Sequence, residues 1–177
     1  GSWYCVTINQ PLGNVKIQGN LYVAGDVTLT LTGNVWATGQ VLLDNSGISG
    51  LIKLDSTLGP ASAVLIADGV VNVDPGAVME GSGDEHSFLL VISMSTSMNP
   101  SAPAVYASNN SNSIVFAAIH GMLRVKQNGK LNAAAAEFLH LEENSTVTYN
   151  PNLAAFAVPS SGGGETVGTA LGSWQEK

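Results

Sequence analysis

Gly13-Asn14-Val15-Lys16-Ile17-Gln18, Gly19-Asn20-Leu21-Tyr22-Val23-Ala24, Gly25-Asp26-Val27-Thr28-Leu29-Thr30-Leu31-Thr32, Gly33-Asn34-Val35-Trp36-Ala37-Thr38 and Gly39-Gln40-Val41 follow one another without interruption. Each unit places an apolar residue two positions after its glycine and another two later, the alternation of a short strand. A hairpin meander sets its turns every 8 to 12 residues, whereas units of about six residues point to a parallel β-solenoid. Gly and Asn suit the corners because both adopt positive φ at low cost. On this reading Val15, Ile17, Leu21, Val23, Val27, Leu29, Leu31, Val35, Ala37 and Val41 face inward, and Lys16, Thr28 and Thr30 face out. The expected architecture is all-β: a parallel β-solenoid (β-helix) with coils of roughly 18–20 residues, about 4.8 Å apart, irregular caps and a C-terminal returning tail.

The same grammar returns in Val64-Leu65-Ile66-Ala67-Asp68-Gly69, Val71-Asn72-Val73, Ile114-Val115-Phe116-Ala117-Ala118, Gly121-Met122-Leu123-Arg124-Val125 and Thr146-Val147-Thr148-Tyr149. Phe88-Leu89-Leu90-Val91-Ile92 is apolar on both faces, so its outer face needs a cover; the Ser-, Asn- and Pro-rich segment near 93–112 reads as an inserted loop able to supply part of it. Ala133 to Leu141 has strong helix propensity, yet it is short and lies between strand-like units, so it reads as a strand. Residues 1–2 read as a cloning remnant, 3–158 as the solenoid domain with its N-terminal cap, and 159–177 as a Gly/Ser-rich linker (Gly162-Gly163-Gly164) and a tail that returns to bury Trp174.

Composition narrows the function. Charged residues are 11% of the 177, with six Lys and Arg against 13 Asp and Glu and a net charge of −7, a balance that argues against nucleic acid as a partner. The single Cys5 excludes an internal disulfide and a cysteine-based zinc site. No apolar run is long enough for a membrane helix.

The glycine-corner repeat, followed in order by the Val64–Gly69, Phe88–Ser93, Ile114–Ala118 and Val147–Pro151 motifs, a triple glycine and Trp174-Gln175-Glu176, resembles the solenoid ectodomains of bacterial type IV pilus assembly proteins of the large minor-pilin-like kind. The resemblance implies an extracellular, non-enzymatic module at the bacterial cell surface or pilus, serving assembly, adhesion or recognition. Its partners would be other pilin subunits and a surface glycan or protein, with the membrane reached only through a missing N-terminal helix. The family brings no catalytic residue and no cofactor. Two other readings stand beside it: a self-polymerising solenoid filament, and a polysaccharide-active β-helix enzyme using two of Asp44, Asp55, Asp68, Asp74 and Glu80.

Tyr22 and Trp36 take outward phase and are the candidate binding aromatics, either as a recognition surface or covered by another segment. Asp84-Glu85-His86 reads as a solvated turn, and Glu137, His140, Glu142 and Glu143 as a polar patch; neither is taken as a metal site, and no metal is expected. Asn109-Asn110-Ser111 and Asn144-Ser145-Thr146 match glycosylation acceptors without structural weight.

Overall fold

The computed structural model describes residues 1–44, 50–74, 76–107, 111–148, 150–155 and 175–176. The triple glycine and Trp174, like Asn109 and Asn110, lie outside the described residues. Among those described, all regular structure is β apart from the 3-10 turns Ser56–Leu58 and Pro151–Ala155.

Two parallel ladders build the main sheet. One stacks Trp3–Val6, Asn20–Val23, Val41–Leu43, Val71–Val73 and Val105–Ala107. The other stacks Val15–Ile17, Val35–Ala37, Ala63–Ala67 and Leu89–Ser93. Gln175–Glu176 adds to the start of this second ladder, on Val15 and Lys16. A separate parallel sheet runs through Gln10–Leu12, Thr28–Leu31, Leu51–Leu54, Val78–Glu80 and Ser111–Asn112.

The long strand Ile114–Val125 joins the two ladders. Its first half pairs with Leu89–Ser93 and its second half with Val105–Ala107. Ala133–Leu141 follows it in parallel, with a register shift between Ala118 and Met122. Ten strands of the main sheet therefore turn through 298° about one axis, forming a nearly closed parallel barrel. The expected open solenoid with regular coils and irregular caps is thus corrected, while the C-terminal segment does return to the sheet through Gln175–Glu176. Its premise was that every corner ends a strand, as the glycine corners at Gly39 and Gly69 do. At Ile119-His120-Gly121 the strand runs on through a bulge: ladder pairing breaks after the pair Ala118 and Ala136 and resumes with Met122 and Phe138 on the far side of the bend. The bend needs glycine, because a Cβ on Gly121 would stand 2.5 Å from the Ser95 carbonyl oxygen and 2.6 Å from the Ala104 methyl. The regular spacing also lapses: corner hydrogen bonds span 20 residues from Asn34 N–H to Asn14 Oδ1 and from Gln40 N–H to Asn20 Oδ1, but 30 from Val64 N–H to Asn34 Oδ1.

The ten residues assigned inward between Val15 and Val41 are all buried. They form one core with Ile52, Leu54, Leu65, Met79, Val91 and Phe116, so the smaller sheet and the barrel share a single interior. Each buried Val, Leu or Phe contributes about 1.5–3 kcal/mol. Ala133–Leu141 is extended despite its propensity, because the N–H and C=O groups of Ile114–Val125 need a partner strand and pairing satisfies both. Within 93–112 the chain forms a hairpin, Met98–Asn99 against Ala102–Pro103, and then the core strand Val105–Ala107.

Candidate functional site

The outer face of the first ladder carries the densest chemistry. Ladder register stacks Cys5, Tyr22, Leu42, Asn72, Tyr106, Arg124 and His140 one above the next. Tyr22 is half-buried. Its hydroxyl donates to Asp44 Oδ2 at 2.7 Å, and its ring meets Trp3 edge to face, with centroids 6.4 Å apart. That hydrogen bond, followed by burial, raises the Tyr22 pKa. Asp74 follows Val73 as Asp44 follows Leu43, and the pairing of Val73 with Leu43 brings the two acids together. Burial first, and then the Asp44 charge, raise the Asp74 pKa, with Lys126 opposing.

Higher on the same face, Lys126 Nζ lies 4.1 Å from the Tyr106 ring centroid and the Arg124 guanidinium 5.2 Å. Arg124 Nε also donates to Glu142 Oε1 at 2.7 Å, and its Nη1 donates to the Pro100 carbonyl. This arginine thereby fastens the 98–103 hairpin over the ladder. Beneath the hairpin is a cavity of about 300 Å³ lined by Gln40, Leu42, Val70, Val71, Asn72, Ser101, Ala102, Pro103 and Tyr106.

Trp36, the other predicted aromatic, lies on the second ladder. Its indole N–H donates to Asp68 Oδ1 at 2.8 Å and Lys16 Nζ sits 4.1 Å from its ring centroid. The structure does not bring it near Tyr22: the two residues occupy different ladders of the barrel.

The five acids considered for glycoside cleavage separate into three places: Asp44 with Asp74, Asp68 with Trp36, and Asp55 with Glu80. The last two line a polar cleft of about 560 Å³ together with Lys53, Asp84 and Glu85. Asp55 is occupied structurally, since the Thr57 hydroxyl and then the Thr57 N–H donate to it and lower its pKa. In the Asp84-Glu85-His86 turn, Asp84 Oδ1 accepts from the His86 backbone at 2.9 Å. No group of three or more His, Cys, Asp or Glu among the described residues is arranged to hold a metal ion. Glu142 and Glu143 are engaged by Arg124 and Gln127.

The far end of the barrel was not anticipated. Leu139 and Leu141 continue the inward ladder above Leu123 and Val125, and Val147 lies above Leu131. Leu123 and Val125 are wholly buried, while Leu139 and Leu141 are 43% and 44% exposed and Val147 37%. Phe138 is exposed beside them. Among the described residues, Ala133–Leu141 pairs on one edge only. The Leu139-x-Leu141 alternation signalled inward phase; no feature of the sequence signalled that this would be the last rung.

No known protein family, curated protein or solved structure matches the chain. This finding and the nearly closed barrel overturn the pilus resemblance and the pilus assembly and adhesion role drawn from it. The filament reading also falls with the solenoid fold on which it rested. Of the five acids, Asp55 and Glu80 share a cleft, with Asp55 engaged by Thr57, and the polysaccharide-active β-helix reading loses the fold that suggested it.

Proposed function

We propose that this barrel is a non-enzymatic binding module of an extracellular surface, joined to another polypeptide through its open end. The supporting observation is that Leu139, Leu141 and Val147 hold core positions yet face solvent, next to a strand edge that pairs with no further strand among the described residues. A partner that adds a strand to Ala133–Leu141 pairs with that edge and buries the leucines, the recognition mode of β-augmentation. The low charge and the abundance of Ser, Thr and Asn suit an exposed extracellular face.

The test is a photo-crosslinking amino acid placed at Phe138 or at Thr28 in cells that make the protein. Position 138 is expected to yield one discrete crosslinked polypeptide and position 28 none. The absence of a discrete product at 138, or identical products from both positions, overturns the reading.

A further inference from the structure

The open end uses none of the chemistry under the 98–103 hairpin, and that cavity is built from parts remote in sequence. Gln40, Leu42 and Asn72 come from the sheet, Ser101, Ala102 and Pro103 from the hairpin, and Tyr106 from the strand that follows. Arg124 fixes the roof through Pro100 and, with Lys126, lies against the Tyr106 ring. The walls are therefore preorganised, and a site formed before binding loses less to ordering.

The lining selects the ligand class. Leu42, Val70, Val71, Ala102, Pro103 and Tyr106 offer apolar contact, while Gln40, Asn72 and Ser101 offer neutral groups that both donate and accept. Among the described residues no charged side chain lines the cavity, so a charged ligand would be desolvated without a partner. A hydrocarbon would leave the amides unmet. Asn72, which lines the cavity, also carries an Oδ1 that is buried without a hydrogen-bond partner, an unmet acceptor that a hydroxyl donor stabilises once the amide turns toward the ligand. The volume, about 300 Å³, is at the small end of ligand pockets and suits one ring rather than a chain.

We infer that the cavity beneath the 98–103 hairpin is a binding site for a neutral, ring-shaped polyol, one pyranose unit of an uncharged glycan. The apolar C–H face of such a ring packs on Tyr106 and Pro103, and its hydroxyls exchange hydrogen bonds with Gln40, Asn72 and Ser101. The inference is independent of the open end, and either can fail alone.

The test titrates the full chain with glucose, galactose, mannose and N-acetylglucosamine and their short oligomers, followed by amide NMR shifts. At least one neutral sugar is expected to bind saturably and to move the amides of Asn72, Ser101 and Tyr106. Gln40→Ala and Asn72→Leu should each weaken it about tenfold, with Gln40→Ala leaving the melting temperature unchanged. The inference is overturned if no neutral sugar shifts those amides, if the shifts map to the Lys53–Glu80 cleft, or if Gln40→Ala leaves affinity intact.

Discussion

The two ends of the barrel are made from the same kind of strand and finish differently. At the start, Val6 and Leu12 are sealed, and Gln175–Glu176 lies against Val15 and Lys16. At the far end, Leu139, Leu141 and Val147 have core phase and no cover equal to that of the rung below. The difference teaches that inward phase and burial are separate properties. Phase comes from alternation along one strand, while burial needs another rung above it.

The largest expected effect sets a middle position against the open end. Val23 is wholly buried and paired with Leu43's strand, so Val23→Asp puts an unpaired charge in a dry interior and costs more than about 4 kcal/mol. Leu141→Asp, whose side chain already meets water, should cost under about 1 kcal/mol. Urea unfolding of both variants decides the matter; equal losses would show that the far end is as closed as the middle.

A smaller effect is expected at the clamp between the last rungs and the hairpin. Arg124→Met removes the Glu142 ion pair and the donor to Pro100, groups about a quarter exposed, at a cost of about 1–2 kcal/mol. Amide exchange in Met98–Pro103 should speed up, while exchange in Asn20–Val23 is changed only through global stability. Equal acceleration in both segments would mean that Arg124 supports the whole barrel rather than the hairpin.

The smallest effect concerns the acids midway between the ends. The folded state holds the Asp74 proton more tightly than the unfolded chain does. Its contribution therefore favours the native state at low pH and is lost as pH rises from the ordinary aspartate pKa through the raised one. Asp74→Asn should flatten stability against pH in that interval, and urea midpoints across it measure the slope. An unchanged slope would show that Asp74 is neither desolvated nor held against Asp44 in solution.

The first forty residues were legible because local rules act there. Alternation assigned each side chain to a face, and Gly or Asn marked the corners. Yet φ is positive at only some of these corners, as at Asn14 (50°) and Gly19 (134°), whereas Gly13, Gly33 and Gly39 are needed because a Cβ there would meet a neighbour at under 3.0 Å. The candidate sites were less legible. Tyr22 and Trp36 could be placed outward, but their engagement by Asp44 and Asp68 depends on residues 22 and 32 positions away. The cavity was invisible, because it joins Gln40, Asn72 and Ser101 through ladder register and through a hairpin held by Arg124.

By itself, then, the sequence determined an all-β chain with its inward residues chosen and its corners placed, since strand period and turn conformation are properties of neighbouring residues. Only the tertiary structure decided that the sheet bends through Ile119–Gly121 into a nearly closed barrel, that a roofed cavity stands over Asn72, and that Leu139 and Leu141 end the stack. Each of these depends on which distant strands hydrogen-bond to one another, and the six-residue rhythm is compatible with more than one such pairing.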